Sequence, residues 1–121
     1  MPPPGHEPFL GAICANPADD TARLVYADWL DENGDPDRAE FIRLQVAQAG
    51  QPRLYDKPYF RAEALRERHG ERWLGELPLL AGVGWDDAFR RGFVDAIRVE
   101  AGKWLLEHHA AIFAATPVQS L

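Results

Sequence analysis

The sequence predicts an α+β domain, mostly α, in which a helical hairpin is followed by a C-terminal strand-helix-strand unit. Three observations carry this expectation. Within residues 20–45 two helix-forming stretches meet at Asn33-Gly34-Asp35-Pro36, a helix exit followed at once by a cap and a first-turn proline. Over residues 89–100 the apolar period shortens to two, with Phe93, Ile97 and Val99 on one side. A helix-period stretch over 103–115 then ends at Thr116-Pro117 and leaves a short apolar tail.

Residues 1–7 read as a proline-rich lead-in. Pro8 suits a first helical position, and Phe9, Leu10, Ile13 and Cys14 recur at helical spacing until Asn16-Pro17. Asp20 is the expected N-cap of the second helix. At roughly 100° per residue, Leu24, Val25, Tyr26, Ala27, Trp29 and Leu30 spread over a broad arc, with Asp28, Asp31 and Glu32 on the opposite strip. This helix is therefore expected to be buried on most sides and to pack around Trp29. Arg23 falls inside the apolar arc, where a guanidinium needs a carboxylate or carbonyls, and Glu40 is the candidate partner. On the third helix Ala39, Ile42 and Val46 form one apolar strip and Phe41 with Leu44 a second, so that helix is expected to touch two layers. Glu40 and Arg43 stand three apart between the strips and can pair.

After a linker to Pro58, a charged helix over about 59–69 closes at Gly70, its arginines alternating with Glu63, Glu67 and Glu71. Trp73, Leu74 and Leu77 return to the core before a turn over 78–84. The alternating stretch from 89, the helix over 103–115 and a strand over 117–121 suggest one parallel β-α-β step. The chain thus reads as a single domain, with a lead-in (1–7), a helical part (8–77) and a β-α-β part (85–121).

Composition narrows the function classes. At 121 residues, 46% hydrophobic and 26% charged, the chain has globular rather than disordered composition. No apolar run approaches the roughly 20 residues of a bilayer span, and the Met-Pro-Pro-Pro start lacks the regions of a signal peptide, so a cytoplasmic location away from membranes is expected. The net charge of −6 is uneven: the first 50 residues hold nine carboxylates against three arginines, and the remainder ten of each sign. A nucleic acid would be repelled by the hairpin half.

Chemistry-bearing patterns mostly fail on spacing. Asp31, Asn33 and Asp35 begin like a calcium loop, but Pro36 and Ile42 stand where glycine and glutamate are required. Asp28 and Glu32 are four apart on one helix face, with no histidine at the spacing of a carboxylate-bridged metal. His108 and His109 are adjacent and cannot clamp one ion, and His109 falls on the apolar face of its helix as a core histidine would. Cys14 shares a stripe with Leu10 and reads as a small buried hydrophobe. No catalytic residue, metal or cofactor is expected.

The phrase Arg-Leu-Val-Tyr-Ala-Asp-Trp-Leu-Asp-Glu, followed by Gly34-Asp35 and by Arg-Ala-Glu-Phe-Ile-Arg-Leu-Gln ending at Gln45, resembles the bacterial repeat-companion domain. The likeness extends to Phe9-Leu10-x-x-Ile13, Trp73-Leu74, Arg91-Gly92-Phe93-Val94 and Pro117-Val118, nearly the whole chain. That family is rich in paralogues, is commonly joined to leucine-rich or other repeats, and has no assigned biochemical activity. The resemblance implies an adjoining repeat array after Leu121, where this sequence stops, as a stand-alone or a trimmed member would.

The function expected is a non-enzymatic protein-protein interaction or repeat-capping module, with a protein partner or an adjoining repeat array. Asp28, Asp31 and Glu32 form the expected recognition strip, Arg23, Tyr26, Trp29, Glu40 and Phe41 the structural core and ion pair, and Leu105, Ile112 and Val118 the docking side. The alternative is a small metal- or carboxylate-dependent enzyme using the acidic hairpin.

Overall fold

Among the described residues, five helices and four short strands follow one another as α1 (Glu7–Ala15), α2 (Asp20–Glu32), α3 (Pro36–Ala49), α4 (Lys57–Leu74), β1 (Val83–Trp85), β2 (Phe89–Arg90), β3 (Phe93–Val94), β4 (Ile97–Val99) and α5 (Gly102–Ala115), a mostly α α+β domain. The computed structural model describes residues 3–50, 56–86, 88–100 and 102–119, the side chains of 102–106 excepted. No helix among the described residues is long and apolar enough to cross a membrane.

Helices α2, α3 and α4 start where acids satisfy orphan amides, whereas α1 follows His6 without a side-chain cap. Asp19, Asp35 and Asp56 accept the backbone N–H of Thr21, Arg38 and Tyr59 at 2.9, 3.4 and 3.1 Å. The cap of α2 is thus Asp19 and not Asp20. Asp19 is extended, whereas Asp20 is already helical and turns its carboxylate to Arg91 at 3.0 Å. Gly34 at φ +96° turns the chain from α2 into α3.

Two expected boundaries move. The fourth helix runs through Gly70 to Leu74, because Ala62, Leu65 and Trp73 form one buried stripe that outweighs the roughly 1 kcal/mol cost of an internal glycine. The alternating stretch from Phe89 is a hairpin rather than one strand. Arg91 and Gly92 have φ of 49° and 89°, the two-residue turn that joins β2 to β3.

Both ladders are antiparallel, β1 with β4 and β2 with β3, so the expected parallel β-α-β step is not what this segment builds. Residues 117–119 lie beside the hairpin without forming a ladder. Gln119 N donates to Asp95 O at 2.8 Å, and the Thr116 hydroxyl donates to Val94 O. Residues 120 and 121 lie outside the described residues. Alternation alone carries no strand direction, which the Arg91-Gly92 reversal decided here.

The described residues form three core clusters. Ile13, Tyr26, Ala27, Leu30, Ala39, Ile42 and Phe93 form the first, and Phe41, Ala62, Leu65 and Trp73 the second, so α3 does face two layers. Trp29 is not the hub: it is half-buried at the edge of the first cluster, stacked on Phe9 at 5.1 Å and on Tyr26 at 6.1 Å. Ile97, Ile112 and Val118 make the third cluster. α2 is less enclosed than its apolar arc suggested, with Leu24 39% and Val25 50% exposed.

Candidate functional site

The outer face of α2 gathers Leu24, Val25, Asp28, Asp31 and Glu32 within about a third of its circumference, at roughly 100° per residue, so Leu24 and Val25 stand among the acids and not opposite them as expected. Asp28 and Asp31 do not stand alone, because Arg43 reaches across from α3 to both. Its NH2 lies 2.7 Å from Asp28 Oδ1 and its NH1 3.1 Å from Asp31 Oδ2. The two hydrogen bonds raise the Arg43 pKa, that from Asp28 the more. The strip is exposed along its length, with Glu32 at its end. Exposed pairs of this kind contribute about 0–1 kcal/mol each, so what they set is the shape and charge of the face.

Two expected partnerships are replaced. Glu40 does not meet Arg23 or Arg43. It takes Arg61 of α4 in a two-point bond at 2.8 and 2.9 Å, and that hydrogen bond draws its carboxyl below the ordinary range. Arg23 is fully buried; its NH1 donates to Pro17 O at 2.6 Å and Asp19 O at 3.2 Å, with Asp20 at 4.0 Å, while its other two nitrogens have no hydrogen-bond partner among the described residues. Sequence spacing could not separate these outcomes, since carbonyls at the α1–α2 junction carry no side-chain signature.

The motif residues converge on a different place. Arg38, Ile42 and Gln45 lie one turn apart along α3 and together grip Gly92 at the hairpin turn. Arg38 NH2 donates to Gly92 O at 3.0 Å, and Gly92 N donates to Gln45 Oε1 at 2.8 Å. A Cβ on Gly92 would stand 2.5 Å from Ile42 Cγ1 and 2.9 Å from Ile42 Cα. Both hydrogen-bonding groups of one glycine are thus clasped while its α-carbon rests on the helix.

Around this clamp the two buried arginines alternate with aromatic rings. The Arg38 guanidinium lies 4.7 Å from the Trp73 ring and 5.2 Å from the Phe93 ring, and Arg23 lies 5.8 Å from Phe93. His69 stacks on Trp73 at 5.3 Å and bonds Asp37 Oδ2 at 2.8 Å. Burial lowers the pKa of both arginines, opposed at Arg38 chiefly by Glu76, whose carboxylate is 3.7 Å from NH1. Sequence reading missed Arg38, Gln45 and Gly92 as a unit. The available signal was the i, i+4, i+7 stripe on α3 together with a glycine flanked by Arg91 and Phe93.

The remaining candidates take ordinary places. Tyr26 and Phe41 are buried in the core as expected. Ile112 and Val118 are 0% and 7% exposed, so they face the interior of the C-terminal part and not a docking surface. The Leu105 side chain lies outside the described residues. His109 is exposed beside Phe113 rather than in the core. Among the described residues no group of three His, Cys, Asp or Glu could hold a metal ion.

Cys14 is half-buried, and desolvation pushes its thiol up to about 11. At pH 8 its alkylation by iodoacetamide is expected to be on the order of 100-fold slower than that of a free cysteine peptide, since the thiolate fraction falls tenfold per unit. An equal rate in stopped-time mass spectrometry would show the thiol to be activated.

The fold and this geometry define a helical α+β domain whose motif residues build a clamp between a hairpin turn and a helix. No family model, no curated protein and no solved structure matches the chain.

Proposed function

We propose that the chain is a non-enzymatic protein-interaction or repeat-capping module that meets its partner through the outer face of α2. The observation that carries this reading is the exposure of Leu24 and Val25 beside Asp28, Asp31 and Glu32 on one helix face, in the half of the chain that holds the whole charge imbalance. The carboxylates there are open to solvent, and Asp28 and Asp31 are tied to Arg43. That arrangement suits recognition rather than proton transfer, which needs a recessed group poised near the working pH. A matching partner surface places one or two apolar side chains among lysines or arginines, so that apolar burial supplies affinity and charge sets the approach.

The test compares affinity capture from the native cell by the unaltered domain and by Leu24→Asp/Val25→Asp. The variant is expected to keep its circular dichroism and lose the captured protein by at least about tenfold, because removing an apolar anchor pair costs on the order of 1.4 kcal/mol or more. Equal recovery by both proteins would eliminate this face as the interface.

A further inference from the structure

We propose that the outer face of α2 is covered by the outer face of α4 from a second copy of this chain, so that copies join head to tail. This assignment rests on the α2 face being the interface and names its occupant. The occupant has to set apolar side chains beside cations, and the first two turns of α4 do so. Phe60 is 59% exposed, its ring edge-on to Tyr59 at 5.3 Å, and Ala64 one turn on is exposed too. Lys57 and Arg61 are exposed around them. Arg61 is bonded to Glu40, whereas Lys57 makes no ion pair among the described residues. Beyond Ala64 the helix carries Glu67, Arg68 and Glu71 in mixed sign, so the contact is placed on its N-terminal half.

The two faces match in spacing as well as in charge. On α2 the apolar pair Leu24 and Val25 precedes the centre of Asp28, Asp31 and Glu32 by about 8 Å, at roughly 1.5 Å per residue, and on α4 Lys57 precedes the midpoint of Phe60 and Ala64 by about the same. Laid antiparallel, Leu24 and Val25 cover Phe60 and Ala64 while Lys57 comes to the acidic end. Glu32 is its counterpart there, exposed and without an ion pair among the described residues.

A self-complementary contact of α2 on α2 would instead oppose the three carboxylates to their own copies. The head-to-tail contact avoids this, since the first 50 residues hold the whole charge of −6 and the remainder, with α4 in it, sums to zero. α3 packs against α2 on one strip and against α4 on the other, so a chain does not close the contact on itself. Each copy that joins therefore leaves one face of either kind open.

Sedimentation equilibrium of the full chain from about 10 µM to 1 mM tests this, because a contact of one helix on another is small and belongs to the weak class. The average mass is expected to rise above that of the monomer and to pass that of a dimer. Phe60→Asp and Leu24→Asp/Val25→Asp, all at exposed positions, are each expected to keep the circular dichroism and to weaken association at least about tenfold. Mixed in equal amounts, the two variants are expected to form a dimer that grows no further, each supplying the face that the other lacks. Glu32→Lys and Lys57→Glu are each expected to weaken association about threefold, and both together in one chain to restore it. A monomer at every concentration would overturn this assignment alone, because loss of a captured foreign protein by Leu24→Asp/Val25→Asp still reports on the α2 face. Association that Phe60→Asp leaves unchanged, or a mixture of the two variants that stays monomeric, would also overturn it.

Discussion

Gly92→Ala is expected to destabilise the domain by about 2–5 kcal/mol and to lower Tm by on the order of 10 °C or more. Two separate costs meet at this position. At φ 89° an L-residue pays the left-handed penalty, roughly 1–2 kcal/mol. The added Cβ would also stand 2.9 Å from the Ile42 α-carbon, which is backbone of α3 and cannot rotate aside. The hairpin must then lift, lengthening the bonds to Arg38 and Gln45 that hold it. Gly34→Ala isolates the first cost, because Gly34 has φ +96° with nothing within 4 Å of the would-be Cβ. It is expected to cost only about 1 kcal/mol. Thermal or urea unfolding of the two variants decides the matter. If Gly92→Ala were no worse than Gly34→Ala, the hairpin would not rest on α3 as described.

Arg38→Ala is expected to cost about 3–5 kcal/mol, the range for breaking a buried charged interaction and opening a cavity. The substitution leaves Gly92 O without its Arg38 donor, removes the cation beside Glu76 and opens a gap against Trp73 and Phe93. Arg38→Met separates these effects, since its unbranched chain refills much of the space without a charge to desolvate. It is expected to cost roughly 1–2 kcal/mol, the hydrogen bond and the ring contacts being lost while packing is kept. Arg38→Lys should resemble alanine more than methionine, because an ammonium can neither lie flat between rings nor reach Gly92 O in the same geometry. Urea midpoints at unchanged slope measure all three. Equal stability of the alanine and native proteins would show that the guanidinium is a passenger in the core.

Both positions bear on function as well as stability. The arginines and aromatics that stand out along this chain mostly hold α2, α3, α4 and the hairpin to one another. The face they leave open to solvent includes Leu24 and Val25 on the outside of α2, where the interface is proposed. A variant of the clamp is therefore expected to lower stability, whereas Leu24→Asp/Val25→Asp should leave stability unchanged and alter the proposed interface alone.

The sequence alone determined what depends on neighbours along the chain. The start of α3 followed from Asp35 placed before a first-turn proline and that of α2 from the neighbouring acids to within one residue, the α2–α3 turn from Asn33-Gly34-Asp35-Pro36, and the two-sided character of α3 from its paired apolar strips. Such features are short-range, set by backbone amides and by the helical period. The tertiary structure decided what depends on residues distant in sequence. It put Arg23 on carbonyls of the α1–α2 junction, gave Glu40 to Arg61, exposed Leu24 and Val25, and closed Arg38 and Gln45 on Gly92 across roughly fifty residues. Strand direction belonged to the same class, since alternation marks which side chains share a face and says nothing of which way the partner runs. A carbonyl, a solvent boundary and a close backbone approach leave no residue letter of their own, so only the assembled chain specifies them.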